Sequence, residues 1–152
     1  MDTAPEGASG RLRALPTRLV GQVAIIANRA TEKALADTGS RRYHYALLAT
    51  LDESGPLSQA AVGRRTGIDR SDVVAAVNDL ADRGFLNRAP DPTDRRRNIL
   101  TLTPAGRAHL HELDDRLEQA QQELLPGFSA AERANLVLTL TRVLELHARQ
   151  AE

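Results

Sequence analysis

Two groups of side chains in this chain are suited to reading a nucleic-acid duplex. The first is Arg70, Ser71, Val74, Ala75 and Asn78, which recur within two helical turns and are small, hydrogen-bonding or cationic. Arginine can pair with guanine and asparagine with adenine, while short apolar side chains meet a thymine methyl on the floor of a major groove. The second is the run Arg95-Arg96-Arg97, preceded by Pro90, Pro92 and Asp94. Exposed guanidinium groups on a loop suit a narrow minor groove, whose negative potential attracts them without reading many base edges. Taken alone, the first group is equally an ordinary solvated helix face and the second a solvated charged hairpin tip. Their succession along the chain is what favours the groove reading.

The elements that must position these groups are legible in the punctuation of residues 68–103. Asp69 is placed to cap a helix by accepting the orphan N–H of Asp72, Ile68 and Val73 can form a hydrophobic staple, and Gly84 ends the helix. Within it Val73, Ala76, Val77 and Leu80 share one side at helical spacing, leaving Ser71, Ala75, Asn78 and Asp82 opposite. Phe85–Ala89 and Asn98–Leu102 read as two strands, with Leu100 and Leu102 on one face. Pro90 and Pro92 bar helix between them and leave a loop that carries the arginines. Upstream, Leu57-Ser58-Gln59 opens a short helix capped by Ser58, which carries Ala61 and Val62 inward and stops at Gly67. The sharp connection from Thr66 to Asp69 then makes a helix-turn-helix with a wing, in which Arg64 or Arg65 can touch phosphate.

In this stretch DPTDRRRNILTLTPAG resembles the wing signature of the MarR family of winged helix-turn-helix transcriptional regulators. LSQAAVGRRTGIDRSDVVAAVNDLADRGFL is similar to the two DNA-binding helices of that family. The resemblance follows nearly the whole chain in length and element order and is densest from Leu57 to Gly106. It implies that Arg96 enters a minor groove and that Asp94 steadies the wing through a salt bridge. It also implies a homodimer that responds to a small, often aromatic or phenolic, carboxylate held between the dimer helices and the DNA-binding module. Arg18 would pair with the anion, and Tyr43, His44 and Tyr45 would line the cavity.

The 152 residues carry twenty basic and twenty acidic side chains, so the overall charge does not argue for nucleic acid. Its distribution does better: residues 41–103 hold ten basic against eight acidic, and residues 104–152 hold five against eight. The absence of cysteine excludes disulfides, thiolate metal sites and thiol redox chemistry. With no apolar run near twenty residues and no signal-peptide pattern, a soluble cytoplasmic protein without membrane contact is expected.

The fold class expected is mainly α with a small β wing: a winged helix-turn-helix flanked by N- and C-terminal dimerisation helices. Residues 1–10 lack periodicity and form a disordered tail. Residues 11–39 form the first dimerisation helix, starting near Pro16, with Leu19, Val23, Ile26, Ala30 and Ala34 on one stripe and Gly39 at its end. Residues 40–103 are the DNA-binding module, including a helix over Arg41–Asp52. Residues 104–152 are two C-terminal dimerisation helices. Thr103-Pro104 opens the first, whose Leu110, Leu113, Leu117, Ala120 and Leu124 follow a 3-4 rhythm. Ser129–Glu132 is a capping box for the second, with Leu136, Leu140, Val143, Leu144 and His147 on one side. The outer stripes exceed what the central module can cover, and a twofold pair of chains would cover them.

No nucleophile elbow, phosphate loop, zinc-protease motif or cysteine nucleophile is present, so an enzyme is not expected, nor is a cofactor. His44, His109, His111 and His147 invite a metal reading, but His109 and His111 are two apart on a helix and diverge; no metal site is expected. The function these readings favour is a sequence-specific regulator, a repressor that binds a near-palindromic operator on double-stranded DNA as a homodimer and is released by a small-molecule effector. The alternative is a winged-helix adaptor whose arginine loop meets an acidic protein.

Overall fold

The computed structural model describes residues 9–150, so the expected N-terminal tail lies outside the described residues apart from Ser9 and Gly10. Ser9 caps a single turn, α1 (Gly10–Arg13), through a hydrogen bond from the Leu12 amide. Helix α2 (Pro16–Leu35) then starts with proline at its first position, where the missing N–H removes no helical hydrogen bond. It stops four residues short of Gly39: Thr38 hydrogen-bonds back to the Leu35 carbonyl through both its amide and its hydroxyl, and Gly39 turns the chain at φ +73°.

The central module follows as α3 (Arg42–Ser54), β1 (Leu57–Ser58), α4 (Gln59–Thr66), α5 (Arg70–Asp82), β2 (Leu86–Pro90) and β3 (Asn98–Leu102). Ser58 caps α4 as expected, accepting from the Ala61 amide at 3.1 Å, and Gly67 ends it in the left-handed region. The predicted side-chain cap of α5 is absent: Asp69 makes no such bond, and its contribution is a backbone carbonyl that accepts from Val73 N–H at 2.9 Å. The α5 side chains divide as their spacing requires. Val73, Ala76, Val77 and Leu80 are buried, whereas Ser71, Ala75, Asn78 and Asp82 are exposed.

Strand β2 begins one residue later than expected: the Phe85 N–H donates to the Leu80 carbonyl at 2.9 Å and closes α5, and its ring stacks on His109. The sheet has three strands, not two. Its order is β1-β3-β2, all antiparallel, with Leu57 opposite Leu100 and Leu86 opposite Leu102. Leu47, Leu48, Leu51, Val62, Val77, Leu80, Leu86, Leu100 and Leu113 are almost entirely out of water and form one core that joins α3, α4, α5, the sheet and α6. Each such side chain contributes roughly 1.5–3 kcal/mol of transfer free energy.

Helix α6 (Pro104–Leu124) is capped by Thr103 and buries Leu110, Leu113 and Ala120 along the expected seam. Its first turn presses onto the end of the α5–β2 connection. A methyl group at Gly106 would overlap the Phe85 carbonyl oxygen and approach Leu102 Cδ1 to 2.8 Å, so only glycine allows this approach. Helix α7 (Ala130–Gln150) opens with the predicted capping box: Ser129 N–H donates to Glu132 at 2.8 Å and Glu132 N–H donates to Ser129 Oγ at 3.1 Å.

Helix α7 buries no residue, and Val137, Leu138, Leu140, Val143, Leu144 and Leu146 are exposed on it. Leu19, Val20, Val23, Ile25 and Ile26 of α2 are exposed as well, with only Leu35 buried. No helix among the described residues is long and apolar enough to cross a membrane.

Candidate nucleic-acid interface

The exposed side of α5 presents Arg70, Ser71, Val74, Ala75 and Asn78, since its opposite side is committed to the core. Val74 is 39% exposed, an apolar side chain presented on that free face. Asn78 is held from outside its own helix: Arg88 of β2 donates through Nη1 to Asn78 Oδ1. Arg88 shares a strand face with buried Leu86 but lies beyond the core edge, so its guanidinium reaches back over α5. Sequence reasoning missed Arg88. Its place two residues after a buried leucine, on a strand following α5, was the available signal.

The wing is ordered by its aspartates. Asp94 Oδ1 accepts from both the Arg96 backbone N–H at 3.1 Å and Arg96 Nε at 3.2 Å, while the Asp94 carbonyl accepts from Arg97 N–H at 3.0 Å. Asp91 accepts from the backbone and hydroxyl of Thr93, and those two donors hold its carboxyl below the usual aspartate range. Asp91 N–H closes the hairpin onto the Arg97 carbonyl at 2.8 Å. The Arg96 side chain remains 91% exposed despite its pairing, so it is oriented and still available. Arg95 and Arg97 are exposed beside it.

A groove of about 790 Å³ runs between the wing root and the adjoining ends of α4 and α5, and Arg64, Arg70, Arg96 and Arg97 all line it. Gln59 Oε1, also at this groove, is buried without a hydrogen-bond partner. Four guanidinium groups around one groove suit a phosphate-bearing strand. Arg65 is separate: it donates to Ser54 Oγ at 2.6 Å, toward α3.

A second cavity, about 510 Å³, lies between α2 and the start of α3, lined by Asn28, Thr31, Glu32, Leu35, Ala36, Gly39, Ser40, Arg41, Arg42 and Tyr43. Arg42 donates to the Tyr43 hydroxyl at 3.2 Å and lies over its ring. Of the four residues expected to hold a ligand, Tyr43 lines this cavity and the others are placed elsewhere. Arg18 is ten residues before Asn28 on α2, about 15 Å along the axis. Tyr45 donates to Asp114 at 2.8 Å, and burial followed by that carboxylate pushes its pKa up to about 12.

His44 accepts the Arg41 backbone N–H at Nδ1 (2.8 Å) and reaches Asp79 through Nε2 (3.1 Å). Burial lowers its pKa, although Asp79 opposes that shift. Among the other histidines, His109 is buried and His111 exposed, as their spacing requires.

A sequence model of the MarR family matches residues 38–97, which include α3, the helix-turn-helix, β2 and the wing loop as far as Arg97. Over that stretch the chain is similar to MarR-family regulators. A protein assigned as a candidate regulator of the hcr operon in Thauera aromatica is 34% identical over 99 residues, 65% of this chain. This chain spans 60% of the length of that relative. Among solved structures, the PcaV regulator of Streptomyces coelicolor with its natural ligand is 29% identical, with a TM-score of 0.77 over 91% of this chain and 97% of that one. BpsR of Bordetella bronchiseptica, whose DNA binding is regulated by 6-hydroxynicotinic acid, is 28% identical, with a TM-score of 0.77 over 86% of this chain and 93% of that one. The MarR-type winged helix therefore accounts for the mainly helical architecture and its small antiparallel sheet.

Proposed function

We propose that this chain is a sequence-specific, DNA-binding transcriptional regulator of the MarR type that acts as a homodimer and responds to a small aromatic acid. The observation that carries the reading is the joint placement of the free face of α5 and the Asp94-oriented Arg96 wing on either side of a groove lined by arginines. The helix would read base edges through Arg70, Ser71, Ala75 and Asn78. Arg96 would enter the flanking minor groove, and Arg64, Arg95 and Arg97 would meet phosphates.

The exposed apolar stripes of α2 and α7 support association of two copies, because patches of this extent are rarely left in water. A twofold pair would place two recognition helices in successive major grooves, ~34 Å apart, so its operator is a near-palindrome with half-sites centred ~10 bp apart. Occupying such a site occludes polymerase, which makes repression the outcome. The compartment is the cytoplasm, where DNA and polymerase meet.

The 510 Å³ cavity falls within the ~300–1,000 Å³ usual for small ligands and offers Arg41, Arg42 and the Tyr43 hydroxyl. These groups suit an aromatic carboxylate, in keeping with the 6-hydroxynicotinic acid that regulates BpsR. Ligand would release DNA by favouring an arrangement of the two reading heads that does not fit the operator.

The test is selection of genomic fragments by the purified full chain. Enrichment of one inverted repeat is expected. Recovery of no preferred sequence would sink the regulator reading in favour of a winged-helix protein adaptor.

A further inference from the structure

The connection between α5 and the 510 Å³ cavity runs through one side chain that neither faces DNA nor lines the cavity. Arg83 follows the last residue of α5, and its guanidinium reaches across to the turn between α2 and α3. Nη1 donates to the Gly39 carbonyl at 3.0 Å, Ser40 Oγ at 3.0 Å and Asp79 Oδ2 at 3.1 Å. Nη2 donates to the Thr38 carbonyl at 3.1 Å, and the group lies 4.8 Å over the Phe85 ring. Gly39 and Ser40 are themselves part of the cavity wall. The same short turn thus borders the cavity on one side and holds the end of α5 on the other.

The hydrogen-bond directions around this point form a consistent set. Arginine can only donate, and Arg83 Nη2 faces His109 Nε2 at 3.5 Å, so that nitrogen is an acceptor. Ser40 Oγ accepts from Arg83 Nη1 and turns its own hydrogen to His109 Nε2, 2.7 Å away. The ring is then neutral, with its proton on Nδ1 facing Glu112 Oε2 at 3.5 Å. Burial, and after it the nearby Arg83 cation, lower the His109 pKa and keep the ring in that form. Phe85 stacks on the same ring at 4.3 Å. On the α3 side, His44 reaches the Asp79 carboxylate that Arg83 also holds. A partly buried network centred on the buried Ser40–His109 bond, in which each donor meets an acceptor, has few alternative arrangements, so it shifts as a unit.

Space at the turn is equally restricted. Gly39 adopts a positive φ, and a Cβ there would lie 3.1 Å from Arg83 Nη2. A methyl group between turn and guanidinium would require the guanidinium to give by a few tenths of an ångström.

We propose that Arg83 is a positioning residue that couples the cavity to the reading head: it fixes the α5 C-terminus to the 38–40 turn, so that displacement of the turn re-aims the recognition helix. The inference rests on the regulator reading above and names the route by which cavity occupancy reaches DNA.

The experiment compares wild type, Arg83→Met, Arg83→Lys, Gly39→Ala and the Gly39→Ala/Arg83→Met double variant as full chains. Affinity is measured for the selected inverted repeat and for random duplex, and backbone amide exchange is followed in parallel. Coupling energies between sites usually correspond to about 5–150-fold. Arg83→Met is accordingly expected to weaken operator binding by on the order of tenfold, with random-duplex binding within about twofold. Arg83→Lys, whose ammonium reaches fewer of these acceptors, should fall between. Gly39→Ala should weaken operator binding in the same sense and, once Arg83 is methionine, add only the small loss that its strained φ imposes by itself.

Losses that multiply in full in the double variant would overturn the coupling, as would equal losses on operator and random DNA, the mark of simple destabilisation. Should the wild type select no inverted repeat, the regulator reading fails by itself. Amide exchange then decides the inference: faster exchange over 79–84 in Gly39→Ala supports the mechanical link, and unchanged protection there refutes it.

Discussion

Replacing Arg96 by alanine separates its electrostatic role from any structural one. The side chain is 91% exposed and its ion pair with Asp94 is a surface pair worth ~0–1 kcal/mol, so melting temperature and dimerisation should hardly move. DNA binding should respond quite differently. A guanidinium seated in the minor groove displaces condensed counterions as a phosphate contact does, about 0.9 in the slope of log K against log salt, and a dimer carries two wings, so the slope falls by about 1.8. Over the fourfold rise from about 50 to 200 mM salt, the wild type should then lose roughly 12-fold more affinity than the variant.

Asp94→Ala is the complementary change, because it keeps the arginine charge and removes what orients it. Fixing a freed side chain on binding costs ~0.5–1.5 kcal/mol, or about 1–3 kcal/mol for two wings. That is roughly 5- to 150-fold in affinity with the salt slope unchanged. Fluorescence anisotropy on one operator duplex across a salt series reads both quantities. An unchanged slope in Arg96→Ala, or an Asp94→Ala defect that appears in the slope, would refute the assignment of Arg96 as the wing contact and Asp94 as its orienting partner.

Asn78→Ala should alter preference among operator variants more than affinity for random DNA, and Arg88→Ala should relax the same base position; selection followed by sequencing checks whether the two positions coincide. Gly106→Ala forces a methyl into the Phe85 carbonyl and should destabilise the fold by about 3 kcal/mol or more, at or above the upper end of the overpacking range. Thermal unfolding should then begin some 6–12 °C lower. Tyr45 titrates near 12 when folded against 10.0 when free, so the folded state loses stability as pH climbs from about 10 toward 12. Tyr45→Phe should remove that loss and one of the chain's two tyrosinate contributions to the high-pH absorbance, at a cost near neutrality of ~0.5–1.5 kcal/mol for the missing bond to Asp114.

The parts legible in the sequence were those encoded by neighbours along the chain. The burial of Val73, Ala76, Val77 and Leu80, the Ser58 and Thr103 caps, the Ser129–Glu132 box and the Asp94–Arg96 pair all depend on residues within about a turn or two of one another. Strand β1 was missed because two residues carry no periodicity; Leu57 and Ser58 become a strand only by meeting Leu100 and Ile99. The Asp69 cap failed because a favourable residue type does not fix its side-chain direction. Arg83 and Arg88 were invisible for a related reason. Each acquires its role from acceptors on another element, Thr38 and Gly39 for one and Asn78 for the other. His44 carried an aromatic-cavity expectation from its two tyrosine neighbours, yet the helix turns it toward Asp79.

Helix α7 has no fully buried residue within its own chain, with only Arg133 and Leu136 half-buried. A lone helix of about that length is marginal, so on the homodimer reading its order is a property of the pair and is lost on dilution. Below the dissociation constant for pairing, occupancy of a palindromic site would rise with roughly the square of total chain concentration. Synthesis rate would thereby set a threshold before any small molecule acts, and a truncated copy retaining the reading head but lacking the last helix would silence its full-length sibling only weakly.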